Sequence, residues 1–294
     1  VFQEVSVVND PVASSHRCLI QGLAFAEAPR WHQGELWFSD FYTRQVMRVD
    51  REGRAHVVVE VPNQPSGLGW LPDGRLLVVS MTDRALLRLD RTGLTQVADL
   101  STLAGFHCND MVVDAQGRAY VGNFGFDLFT QPVVPRPTVL VRVDPDGAVS
   151  VAADDMHFPN GAVITPDGKT MIIGETFARR LTAFDLAADG TLSRRRVWAD
   201  LDKLAPDGIC LDAEGAVWVA SPRSNEFIRV LEGGTITQRI PASNQAIACV
   251  LGGDDGKRLF MVVGRVRGHA EALATRVGRI EYVDVEVGAA GPPV

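Results

Sequence analysis

The chain has 294 residues, 46% of them hydrophobic and 22% charged, with 28 glycines and a formal net charge of −7. This composition describes a turn-rich globular protein and excludes a disordered or fibrous one. The acidic balance argues against a nucleic-acid binder, which carries a basic patch, and no apolar run reaches the roughly 18–20 residues that span a bilayer.

At the N-terminus, residues 1–20 carry Glu4 and Asp10 and lack a basic segment followed by an apolar core, so they do not read as a secretion signal. Phe2 to Val8 alternates apolar and polar residues and is expected to form a strand. Six segments then share one plan: an apolar strand, a turn ending in Gly, a second apolar strand, a polar turn and a third strand closing near Asp. The first runs Ala28-Pro29-Arg30-Trp31, turns at Gly34 and continues with Leu36-Trp37-Phe38-Ser39-Asp40. The later segments turn at Gly74, Gly117, Gly168 and Gly215, and more loosely around Asp254-Asp255-Gly256. Glycine suits such hairpins because it accepts a positive φ. Strands such as Leu76-Leu77-Val78-Val79 and Met171-Ile172-Ile173 are apolar on both faces, as when sheets pack face to face.

The turn glycines recur at roughly 40–50 residues, the period of a four-stranded propeller blade. Six such units use up the chain. The expected fold is therefore all-β, a six-bladed β-propeller with four-stranded blades, and residues 1–294 are expected to form one domain. Phe2 to Val8 would close the ring beside a last strand at Arg279 to Val285. A turn of helix is expected at Glu271 to Thr275, and Gly264 to Arg276 reads as a long functional loop. Arg194-Arg195-Arg196 follows a turn and reads as a solvated strand edge. The four cysteines, Cys18, Cys108, Cys210 and Cys249, form no C-x-x-C pair and suggest reduced thiols in a cytoplasmic protein.

Counting back from the turn glycines exposes a second regularity. Eight positions before Gly117 stands Asn109, eight before Gly168 stands Asn160, and eight before Gly215 stands Asp207. The same count reaches Ser66 in the second repeat, and seven before Gly34 lies Glu27. An equal offset gives an equal side-chain direction, and the innermost strand of a blade faces the central channel. Glu27, Asn109, Asn160 and Asp207 would thus converge on the axis as an all-oxygen set. Hard cations prefer such donors, whereas Zn²⁺ usually recruits His or Cys. A cation would also relieve the repulsion between two enclosed carboxylates.

At these residues the chain resembles the SMP-30/gluconolactonase/luciferin-regenerating family of six-bladed propeller lactonases with one divalent metal in the channel. The matching stretches are Glu27-Ala28-Pro29-Arg30-Trp31, Asn109-Asp110, Phe158-Pro159-Asn160-Gly161 and Pro206-Asp207-Gly208-Ile209-Cys210-Leu211-Asp212. The resemblance implies that Glu27, Asn160 and Asp207 ligate the metal, with Asn109 as a fourth ligand or a substrate contact. It also makes Asp207 the candidate base. Ca²⁺ leads the expected metals, followed by Mg²⁺, Mn²⁺ or Zn²⁺.

Two departures bear on the substrate. Sugar-lactone members place an Arg two residues before the Asn-Asp pair, where this chain has His107. Downstream lies Asn123-Phe124-Gly125-Phe126-Asp127-Leu128-Phe129, whose phenylalanines suggest a lactone less polar than gluconolactone. The expected reaction is metal-assisted ring opening. Asp207 or Asp127 would act as base and His107 as a proton carrier, with Asn109, His107, Asn123, Phe124 and Phe126 contacting substrate. Alternatives are an esterase, phosphotriesterase or lyase on the same site, or a non-catalytic propeller with a structural ion. The expected partner is a small lactone or ester, without nucleic acid or membrane, acting on a monomer or weak homo-oligomer.

Overall fold

The computed structural model describes residues 16–50, 53–266 and 268–291. Each glycine singled out by the repeat turns the chain: Gly34, Gly74, Gly117, Gly168, Gly215 and Gly256 have φ between 68° and 84°. Around these hairpins the described residues form six four-stranded antiparallel sheets. Their innermost strands are Ala26–His32, Pro65–Trp70, Cys108–Val113, Pro159–Ile164, Ile209–Leu211 and Gln245–Gly252, which define blades 1 to 6. These strands neighbour one another in chain order, and that of blade 6 returns to that of blade 1. The result is a six-bladed β-propeller.

Burial follows from this geometry. Leu76–Ser80 and Cys108–Val113 are buried along their whole length because another blade covers each face. Six apolar layers fill the six spaces between blades, for example Val163, Ile172, Ile209 and Val219 between blades 4 and 5. The outermost strands are largely solvated. Leu192–Asp200 carries the arginine run there, with Arg194 and Arg196 on Asp185 and Arg195 over the Phe184 ring.

The ring is closed by the strand Arg17–Leu23, which lies antiparallel to Gly278–Asp284 as the outer strand of blade 6. The expected last strand is thus in place, but its partner differs from Phe2 to Val8, which lie outside the described residues. An outer strand needs little apolar alternation, and Arg17–Leu23 shows little. The expected helical turn is the helix α1, His269–Thr275. Among the described residues, no helix is long and apolar enough to cross a membrane. The four cysteines are unpaired, with the Cys210 and Cys249 sulfurs 3.8 Å apart.

Each inner strand except that of blade 5 carries a register shift at one place: between Glu27 and Arg30, Pro65 and Leu68, Cys108 and Met111, Pro159 and Ala162, and Ala246 and Ala248. Bulges re-aim a side chain and end regular pairing. Here they fall at the residues counted back from the turn glycines. Asn109-Asp110 and Asn160-Gly161 are therefore parts of inner strands rather than turns, while Asp207-Gly208 lies immediately before the inner strand of blade 5. A Cβ on Gly161 would lie 2.5 Å from the Ile209 nitrogen, and one on Gly208 would lie 2.4 Å from the Ala248 Cβ. Only glycine allows adjacent inner strands to approach this closely around the channel.

Candidate metal centre and substrate cavity

The channel opens at one end into a cavity of about 480 Å³. Glu27, Asn109, Asn160 and Asp207 all line it, one each from blades 1, 3, 4 and 5. Blade 2 supplies the buried Ser66 at the equivalent position. Glu27, Asn109 and Asn160 are buried, while Asp207 keeps partial access from the cavity.

Hydrogen bonding leaves oxygen atoms available at this end. The Asn160 amide nitrogen donates to Asp207 Oδ1 at 2.6 Å and to Thr176 Oγ1 at 3.2 Å, which frees its carbonyl oxygen. Thr176 in turn donates to the Pro206 carbonyl and so ties the two strands together. Glu27 accepts only the Ala28 N–H, at 3.0 Å, and Asn109 makes no side-chain hydrogen bond among the described residues.

Among the described residues, no cation pairs directly with either carboxylate. The nearby guanidinium of Arg30 is taken by Asp110, at 2.6 Å, and by the Met111 carbonyl, at 2.7 Å. Burial, and then the Asp207 charge, push Glu27 well above the usual carboxylate range. Burial likewise pushes Asp207 up to about 7 against the opposing Asn160 hydrogen bond. Such a pair resists ionisation unless a positive charge joins it. Two carboxylates and two amide carbonyls fit a hard divalent cation, which takes oxygen ligands. Among the described residues no three His, Cys, Asp or Glu side chains cluster for a metal, so the amides are needed to complete a set.

The walls are largely aromatic. Phe124 stacks on Phe158 at 4.6 Å, and Phe177 lies 5.4 Å from Phe158. Phe25, Phe41 and Tyr42 form a second aromatic group on the blade 1 side. His107 lines the cavity, stacked on Phe106 at 4.2 Å, and its buried Nδ1 has no partner. Burial holds its imidazole below the ordinary value, so it is neutral at pH 7.

Three expected site residues lie elsewhere. Asn123 is fully buried, and its side chain joins Gly105 N, Gly125 N, Thr138 Oγ1 and the Val139 carbonyl. It ends the second strand of its blade, where Asp40 and Glu175 similarly hold the backbone entering the inner strand. Phe126 stands behind the aromatic wall, 5.1 Å from Phe177, and borders an outer groove instead. Asp127 borders the same groove, is exposed, and is engaged with Thr130 and the Phe129 N–H. These hydrogen bonds hold its carboxyl below the usual range, the opposite of a base.

His107 and Phe124 line the cavity as the sequence suggested, and the same count finds further lining residues that went unremarked. Two positions before the inner-strand set stand Phe25, Gln64, His107, Phe158 and Ala205, and all five line the cavity. In blades 1 to 5 the residue after the second strand supplies Phe41, Met81, Phe124, Thr176 and Pro222.

Comparison with known proteins agrees with this architecture. The profile of the SMP-30/Gluconolactonase/LRE-like region matches residues 25–265. Regucalcin of Danio rerio is 28% identical, covering 79% of this chain and 76% of its own. A pentonolactonase of Haloferax volcanii is 27% identical, covering 84% of each chain. The solved structure of a calcium-binding regucalcin from Agrobacterium tumefaciens superposes with a TM-score of 0.77 at 24% identity, covering 93% of this chain and 94% of its own. The chain belongs to the SMP-30/gluconolactonase/LRE-like family.

Proposed function

We propose that the protein is a divalent-cation-dependent lactonase acting on a lactone less polar than a sugar lactone. The observation that carries this reading is the pairing of two uncompensated carboxylates with free amide oxygens at the end of an aromatic-walled cavity. The lactonases among its relatives support the reaction class.

Glu27, Asp207, Asn160 and Asn109 would hold the cation, with Ca²⁺ the best match to the donor set. Bound there, a divalent cation supplies Lewis-acid polarisation of the lactone carbonyl and stabilises negative charge on its oxygen. Asp207, kept ionised by the cation, would accept the proton of the attacking water. The Asn160 hydrogen bond fixes the orientation of the Asp207 carboxylate. His107, in the same cavity, would relay the proton that Asp207 takes from water to the departing ring oxygen, so that water's OH ends on the acyl carbon and its hydrogen on the new alcohol. The aromatic walls exclude bulk water and favour an apolar lactone body over a polyhydroxylated one.

The test is hydrolysis of sugar, aryl and alkyl lactones after chelation and re-addition of Ca²⁺, Mg²⁺, Mn²⁺ or Zn²⁺. Wild type should recover turnover with metal and prefer the apolar lactones, while Asp207→Ala should lose about 10²–10⁴-fold in rate. Tight cation binding with no turnover on any lactone would leave ester-like chemistry or a structural ion.

A further inference from the structure

The connection from the second to the third strand of a blade reaches the cavity end of the propeller. In blades 1, 2, 4 and 5 it has four residues, at 41–44, 81–84, 176–179 and 222–225. In blade 3 it has fourteen, at 124–137, and in blade 6 thirteen, at 265–277. Blades 3 and 6 stand opposite each other in a ring of six, so the two long loops face one another across the mouth.

Both loops contribute to the cavity. Blade 3 sends in Leu128 and Phe129, and blade 6 sends in Val266 and His269. Phe129 is 61% exposed and Val266 58% exposed, which is unusual for side chains that line a binding cavity. Neither is loosely held. Asp127 accepts the Phe129 N–H at 2.8 Å, and Gln245 accepts the Val266 N–H at 2.7 Å. His269 stacks on Tyr42 at 5.0 Å. The Phe129 ring lies 5.8 Å from the His107 ring and 6.5 Å from the Phe124 ring, so the outer apolar surface continues onto the aromatic inner wall.

We propose that the mouth between these loops is a second subsite, taking an apolar alkyl or aryl substituent carried on the lactone ring. The inner cavity holds the ring and the reacting bond, and Phe129 and Val266 cover the substituent where it emerges. This deepens and rests on the lactonase reading of the inner site. Apolar surface held in a fixed geometry at a cavity mouth gains by being covered, at up to about fourfold in affinity per methylene buried. It also gives a function to Asp127, which positions Phe129 rather than taking a proton.

The experiment uses γ-lactones with alkyl substituents from methyl to octyl, and the matching non-hydrolysable γ-lactams. Turnover is read for the lactones and calorimetric Kd for the lactams. With wild type, KM and lactam Kd should fall as the chain lengthens, by about two- to fourfold per added methylene until the mouth is filled. Phe129→Ala with Val266→Ala should flatten both series. Val57→Ala, an exposed apolar residue on an outer strand, should keep the wild-type dependence. Lactones that turn over with no length dependence, alongside lactams whose Kd ignores length, would overturn the subsite and leave the lactonase reading standing. Length-dependent lactam binding without hydrolysis of any lactone would retain the subsite and overturn the lactonase reading. Failure to bind any lactam would overturn the subsite.

Discussion

Asn109 and Asn123 stand on the same blade, are equally polar and are both buried, yet they do different things. Asn123 meets four partners, whereas Asn109 meets none among the described residues and opens to the cavity. Substituting Asn123 leaves two backbone N–H groups and a buried carbonyl unsatisfied. Asn123→Ala should therefore cost roughly 1–3 kcal/mol of stability in a denaturant melt, with unchanged cation affinity in the folded protein. Asn109→Ala should leave the melt almost unchanged and weaken cation binding. Asn109 was legible in the sequence because it shares its offset with Asn160 and Asp207. Asn123 was misread because nearness to Phe124 says nothing about which way a strand-end side chain points. The Arg30–Asp110 pair was not legible either, since no local pattern joins residues from blades 1 and 3.

At the scale of the strand, the repeat announced the hairpins but not the bulges. Turn glycines leave a mark at fixed spacing, whereas a register shift depends on how two strands pair. The bulges matter because they fall at Glu27, Asn109 and Asn160 and re-aim those donors, while glycine lets the neighbouring strand pass. Gly161→Ala would force a Cβ against the backbone of Ile209 and the Asp207 carbonyl, both within 2.8 Å. It should cost about 1–3 kcal/mol and also weaken cation binding, because the backbone it displaces is that of Asp207 and the start of the strand after it. Gly168→Ala offers the contrast. Its φ is +68° but nothing lies within 4 Å, so it should cost about 1 kcal/mol and leave cation affinity as it was. Calorimetric titration of the two variants, beside their thermal melts, separates the two roles.

Across the whole molecule, six apolar interblade layers hold a ring whose centre carries an electrostatic burden. Closure itself was half legible: the last strand was expected at Arg279 to Val285, but its partner Arg17–Leu23 is an exposed outer strand with little pattern to read. The burden at the centre has a pH signature. Glu27 and Asp207 have folded values raised above their unfolded ones, so the folded, cation-free protein binds more protons than the unfolded chain. Its stability should be highest where both groups are protonated and should fall as pH rises from about 4 towards about 7. Glu175 acts in the other direction. Burial would raise it, but Arg180, the Thr182 hydroxyl and the His157 N–H outweigh that and lower it. Its contribution is therefore lost as pH falls below the usual carboxylate range, outside the window of the central pair. Thermal melts of chelated protein from about pH 5 to about pH 8 should show a declining Tm, and saturating Ca²⁺ should abolish the decline.

The central claim is that the inner-strand oxygens form a single cation site at which a lactone is opened. One co-titration tests it most directly: divalent cation is added stepwise to chelated protein while occupancy is read by calorimetry and hydrolysis of an alkyl-substituted γ-lactone is followed in parallel samples. Binding should saturate at one cation per chain, turnover should rise along the same isotherm, and Asp207→Asn should lose both. Turnover that persists without cation, or saturated binding that leaves turnover at zero, would contradict it.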